Sequence, residues 1–239
     1  MIVAIDGPSG SGKSSVARAV AERRHLTYLD TGAMYRTVAL ACLERGAEPG
    51  DAAADAEVAR SVRVGFGPME GGRQRVFLDG RDVTDAIRTP EVEHAVSAVS
   101  AVPEVREVMV GLQRAAAEGS SVVMEGRDIG TTVFPGAEVK VFLTASPEAR
   151  ARRRAVQRAG GDLARDASAA ADADEEARVL ADLRARDELD STRATSPLRA
   201  ADDAHVVDSS DMGFEEVVGL VLSLVDAAAG AVPEGGERA

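Results

Sequence analysis

The feature that most constrains this chain is a glycine-rich segment near its start. Gly7-Pro8-Ser9-Gly10-Ser11-Gly12-Lys13-Ser14 fits G-x-x-x-x-G-K-[ST] at every defined position. Such a segment has chemical meaning only between a buried strand and a helix, and both flank it. Ile2–Ile5 is a short apolar run ending in Asp6, and residues 13–24 place Val16, Ala17, Val20 and Ala21 on one helical face. Glycines let the backbone curl until its N–H groups face inward, and the helix N-terminus adds its dipole, so the loop becomes an anion nest. We read residues 7–15, Ser15 included, as a cradle for the phosphates of ATP. Lys13 would reach the β- and γ-phosphate oxygens, and the Ser14 hydroxyl would ligate Mg²⁺.

Composition narrows the setting. The chain has 239 residues, 45% of them hydrophobic, and carries a net charge of −12, which argues against a sequence-independent grip on nucleic-acid phosphates. One cysteine excludes an intrachain disulfide and a cysteine-rich zinc site. No apolar run approaches the length of a membrane span, and the opening residues carry no targeting pattern, so a cytoplasmic location is expected. A monomer is expected as well. The basic residues are lopsided: 26 arginines and only two lysines, one of which is Lys13.

Along the chain the pattern is α/β. A short strand at 26–29 and a helix over about 33–45 follow the loop. Alternation of Val62, Val64 and Phe66, then of Val76 and Leu78, predicts a small antiparallel insertion over 61–82 around a glycine-rich turn. Helices are expected near 91–101 and 103–118. Strands are expected at 122–124 and 139–143. Ser146-Pro147-Glu148 supplies an N-cap, a first-turn proline and an acid for the next helix. Residues 160–176 read as exposed and mobile. A helix at 175–189, a strand at 206–207 and an amphipathic closing helix complete the pattern, with a disordered tail over 230–239. The whole is one domain over 1–229.

A phosphate loop alone does not choose between switches, motors and kinases. A guanine-reading [NT]-K-x-D segment is absent: the second lysine, Lys140, sits mid-strand in Val139-Lys140-Val141-Phe142. The strand Val122–Met124 runs into Glu125-Gly126-Arg127-Asp128 rather than the paired acids of the larger ATPases. Arg36, Arg127, the 150–154 cluster, Arg186 and Arg193 lie at or near predicted strand ends and loops, where guanidinium forks suit a second phosphorylated substrate. A kinase for a small acceptor is favoured. Shikimate, gluconate or another monophosphate remain rival acceptors, and a slow nucleotide switch remains the rival class.

From these residues the chain resembles the bacterial-type cytidylate kinases. The blocks that carry the resemblance are Ile5–Ser14, Leu29-Asp30-Thr31-Gly32-Ala33-Met34-Tyr35-Arg36, Ile87-Arg88-Thr89, Gly126-Arg127-Asp128-Ile129-Gly130-Thr131 with Val133-Phe134-Pro135, Arg186-Asp187 through Asp190 to Arg193, and Pro197-Leu198 with Ala201-Asp202-Asp203-Ala204. The resemblance implies an α/β P-loop kinase with a parallel sheet core flanked by helices (1–30, 120–148, 195–229). It also implies an inserted monophosphate-binding region at 31–118 with short antiparallel strands, and a mobile lid near 150–176.

It further implies that CMP or dCMP is phosphorylated by ATP. Thr31 would lie near the acceptor nucleotide, and Arg36 and Arg127 would hold its phosphate. Ser97, Arg106 and Asp128 would read the cytosine edge, Arg186 and Asp190 the ribose, and Arg193 the phosphates. Arg153 would meet the donor nucleotide. Lys13, Arg127, Arg186 and Arg193 form the implied catalytic set. Glu125 stands where an Asp is common in that family.

Overall fold

The structure is a computed structural model, described here for residues 1–70, 73–161, 169–193 and 195–231. In chain order its regular elements begin with β1 (Ile2–Asp6), α1 (Lys13–Arg23), β2 (Thr27–Asp30), α2 (Thr31–Glu44) and α3 (Ala52–Ser61). Next come β3 (Val64–Glu70), β4 (Arg73–Leu78), β5 (Arg81–Asp82), α4 (Pro90–Ala101) and α5 (Pro103–Ala117). The chain then forms β6 (Val122–Gly126), β7 (Val139–Thr144), α6 (Pro147–Arg158), α7 (Ala173–Thr192), β8 (His205–Asp208) and α8 (Phe214–Ala231).

The chain divides into two compact units, one of Met1–Leu29, Gly119–Asp187 and Leu198–Ala239, the other of Asp30–Glu118 and Glu188–Pro197. The first is built on a five-stranded sheet of order β2-β6-β1-β7-β8. β1 lies parallel to both β6 and β7, and β7 parallel to β8. Val3 and Ile5 on the central strand are fully buried, and pack in one cluster with Val16 and Val20 of α1, Val123, Val141, Leu143, and Val218 and Val221 of α8. A strand buried on both faces accounts for the unbroken apolar run at Ile2–Ile5. The register Asp6↔Gly126 brings the C-terminal ends of β1 and β6 level, where α/β sheets place their ligands. Among the described residues no helix is long and apolar enough to cross a membrane.

The second unit carries the antiparallel sheet β3-β4-β5 and a helical core. Met34, Val38, Cys42, Val76, Ile87, Val96, Val99 and Met109 form its buried cluster. The alternation at 61–82 thus becomes a sheet, with its register shift between Phe66 and Met69; the expected turn at 70–72 falls partly outside the described residues. Within this core Cys42 and Asp55 are both fully buried, and Asp55 accepts the Gly50 N–H at 2.8 Å.

Several boundaries differ from the sequence reading. α3 was not expected: Asp51 caps it by accepting the N–H groups of Ala53 and Ala54. α7 begins at Ala173, so the last residues of the stretch expected to be mobile are helical, and residues 162–168 lie outside the described ones. Asp174, Glu175 and Glu176 in its first turn complement the helix dipole, which explains the earlier start. α8 continues through Gly230, about one and a half turns beyond its last valine, so residues 230 and 231 of the expected tail are helical; residues 232–239 lie outside the described residues.

Candidate phosphoryl-transfer site

The loop Gly7–Gly12 joins β1 to α1 as expected. Gly7 has φ +147°, and a Cβ there would stand 2.0 Å from the Leu143 carbonyl oxygen, so no side chain fits. Gly12, in the left-handed region, is the N-cap of α1; no side chain caps that helix and its first turn holds no acid. Its leading N–H groups are therefore positioned for an anion rather than for the protein's own oxygens.

Lys13 is only 5% exposed. Its Nζ donates to the Pro8 carbonyl at 2.7 Å and lies 3.5 Å from Ser11 Oγ. Burial pushes this ammonium well below the usual lysine range. Arg127 pushes the same way, Glu125 and Asp6 oppose, and Arg186 adds a smaller downward effect. The first unit thus gathers the cations Lys13, Arg127 and Arg186 with the acids Glu125 and Asp6 into one locality.

The loop is braced from α6. Ser146 Oγ caps this helix at Ala149 N–H, as its Ser-Pro-Glu start predicts. Arg150 donates to the carbonyls of Ser9 and Ala145, each at 3.0 Å, and pairs with Asp187 of α7 at 2.6 Å. Its stem packs on Gly10, where a Cβ would come within 3.1 Å. Arg153, expected at the donor nucleotide, lies against the loop backbone: it donates to Ser209 O, to Ser209 Oγ at 3.0 Å and to Ser11 O at 3.4 Å. Burial lowers its guanidinium below the ordinary range, with Asp208 opposing.

Two buried acids end the central strands. Glu125 accepts from Ser14 Oγ at 2.8 Å and from the Tyr28 hydroxyl. A serine hydroxyl backed by a carboxylate is an oxygen-only donor set, and that chemistry fits a hard cation such as Mg²⁺. Asp6 accepts the N–H groups of Ile129 and Gly130 at 2.8 and 2.7 Å. Burial raises its carboxyl to about 6, against the lowering effect of those two N–H groups. Residues Ile129–Val133 form a π-helical turn directly after Arg127 and Asp128. Asp128 is buried, and its side chain does not cap that turn. Lys140 is also buried, donating to the Pro135 carbonyl and to Asp203 at 2.7 Å.

The remaining expected residues lie in the second unit. Thr31 is buried at the first position of α2, which Asp30 caps at Ala33 N–H, and Arg36 follows on the same helix. Ser97 is on α4 and Arg106 on α5. Arg106 is 3% exposed, stands 5.4 Å from the Tyr35 ring centroid and donates to Ser100 O at 3.2 Å. Asp190 and Arg193 pair at 3.8 Å at the end of α7. Asp6, Tyr28, Asp187 and Ser209 carry no role predicted from the sequence, and Arg150 was expected only as one of the 150–154 arginine cluster. Only Asp6 and Glu125 carried a signal, as acids ending apolar strands.

A parallel sheet with a capless, glycine-led helix start and converging cations defines the class of P-loop kinases. Within that class the chain belongs to the cytidylate kinase family, whose model matches residues 3–227. A cytidylate kinase of Mycobacterium leprae is 53% identical over 97% of this chain and 98% of its own length. One from Rhodococcus jostii is 50% identical over 97% of each, and one from Pelotomaculum thermopropionicum 47% over 94% and 96%. Among solved structures, an uncharacterized protein from Eubacterium ventriosum superposes with a TM-score of 0.50 at 13% identity, covering 95% of this chain and 99% of that one. That likeness speaks to fold alone.

Proposed function

We propose that this chain transfers the γ-phosphoryl group of ATP to CMP and dCMP, giving ADP with CDP or dCDP, by direct in-line displacement. The observation that carries the reading is near end-to-end identity of about half with cytidylate kinases, in a chain whose Lys13, Arg127 and Arg186 converge in one unit. The acceptor oxygen is already an anion, so no general base is required, and catalysis rests on positioning and charge.

In this reading the N–H groups of residues 7–15 and Lys13 hold the donor phosphates. Ser14, backed by Glu125, would ligate Mg²⁺, which when bound neutralises charge between the β- and γ-phosphates. Arg36 and Arg127 hold the acceptor phosphate. Ser97, Arg106 and Asp128 read the base, Asp128 accepting from the exocyclic amine that uracil lacks. Arg186 and Asp190 hold the ribose, Arg193 the phosphates, and Thr31 flanks the acceptor. Arg153 meets the donor nucleotide and also braces the loop that cradles its phosphates. Residues 31–118 act as the acceptor-binding region and the segment about 150–176, of which 162–168 lie outside the described residues, as a lid.

The test is ADP release from Mg-ATP with CMP, dCMP, UMP, AMP, GMP, shikimate, gluconate or water alone. CMP- and dCMP-dependent turnover far above the water background is expected. Acceptor-independent hydrolysis, or preference for another acceptor, overturns the proposal.

A further inference from the structure

The segment expected to meet the acceptor, Arg127-Asp128, leads into a π-helical turn whose leading N–H groups are capped by no residue of the turn itself. Within the turn, Asp128 O accepts from Thr132 and Val133, and Ile129 O from Phe134. The N–H groups of Ile129 and Gly130 instead reach across the sheet to Asp6, one to each carboxylate oxygen. Pairing of Asp6 with Gly126 on neighbouring strands puts the carboxylate beside the point where the chain leaves β6 for Arg127. Asp6 is 5% exposed, and both its oxygens are committed to backbone N–H groups. From the other side, Gly130 packs on the Lys140 stem: a Cβ there would lie 3.2 Å from Lys140 Cδ and 3.4 Å from Asp6 Oδ2.

We infer that Asp6 is a positioning residue for acceptor recognition: its carboxylate clamps the backbone that presents Arg127 and Asp128, tying the strand that feeds the donor-phosphate loop to the segment that meets the acceptor. The inference rests on the proposed roles of Arg127 and Asp128. An asparagine at position 6 keeps the size but offers one oxygen and one amide donor, so one of the two N–H groups loses its acceptor.

The experiment compares Asp6→Asn and Gly130→Ala with the wild type by calorimetric titration with CMP and, separately, ADP. Thermal unfolding is recorded alongside. Asp6→Asn is expected to weaken CMP binding by about tenfold or more, the loss of one charge-assisted hydrogen bond, while ADP affinity changes by less than about threefold. Gly130→Ala, which crowds the same clamp without altering the carboxylate, is expected to show the same CMP-selective loss. A purely structural role would not separate the two ligands. The inference is overturned if both variants bind CMP as the wild type does, if CMP and ADP affinity fall together, or if neither variant folds. If only one variant folds, its CMP-to-ADP ratio decides. Failure of the functional reading is distinct, because the wild type itself would then show no CMP binding.

Discussion

Replacing Lys13 with methionine should move activity and stability in opposite directions. In the nucleotide-free protein the ammonium is 5% exposed and has one short partner, the Pro8 carbonyl at 2.7 Å. Arg127 and Arg186 repel it, while Glu125 and Asp6 attract it. Desolvating an ammonium costs several kcal/mol, whereas one charge-assisted hydrogen bond returns about 1.5–3 kcal/mol. Methionine fills the same space without charge, so a net gain on the order of 1 kcal/mol is expected, seen as an upward shift of about 2–4 °C in Tm for a chain of this size.

Because folding lowers the lysine's proton affinity, the wild-type deficit should shrink as pH rises through the depressed value toward the free-lysine range. In turnover the same ammonium stabilises charge on the transferring phosphoryl group, and its loss should lower kcat by roughly 10²- to 10³-fold. Scanning calorimetry without nucleotide and coupled ADP-release kinetics at saturating CMP provide the two readouts. A Tm lowered by several degrees, or kcat within tenfold of the wild type, would refute the reasoning.

Other outcomes are equally direct. Asp128→Ala should shrink discrimination between CMP and UMP by about tenfold or more in kcat/KM, and an unchanged ratio would mean that another group reads the amine. Cys42 should resist alkylation in the folded protein, because burial, with Asp55 beside it, pushes its thiol up to about 12. At pH 8 its thiolate fraction is then about 10³-fold below that of an exposed cysteine, and labelling at the rate of a free thiol would contradict the burial. Gln113 on α5 is 1% exposed, and neither end of its amide has a hydrogen-bond partner among the described residues. Gln113→Leu should therefore raise stability by about 1–2 kcal/mol in urea unfolding, and a fall would show that the amide is satisfied in solution.

What could be read from the sequence was whatever depends on near neighbours. The loop at 7–14 is legible because its glycines, lysine and serine are contiguous, and the Ser146 cap because it needs only three residues. α3 was missed because half its sequence is alanine, with Val58 its only large apolar side chain, so it has little periodic contrast. The π-helical turn has no composition of its own, since its i→i+5 bonds are imposed by surroundings. Asp6, Glu125 and Arg150 act through partners more than a hundred residues away, Ile129 and Gly130, Ser14, and Ser9, which only the sheet register and the packing of α6 bring near. The placement of Arg153 illustrates the same limit. An arginine cluster after a strand does not reveal which guanidinium faces a ligand and which grips the backbone behind it.

The burial of both lysines leaves the α-amine of Met1 as the accessible primary amine of the folded chain. An acylating reagent finds no exposed lysine head, since Lys13 lies inside the loop and Lys140 is held by Asp203 and the Pro135 carbonyl. The two become separate reporters. Acylation of Lys13 would follow rearrangement of the loop and be blocked by a bound triphosphate, whereas acylation of Lys140 would follow opening of the sheet. Mass spectrometry of one labelled sample could therefore register nucleotide occupancy and unfolding at once, with no engineered probe.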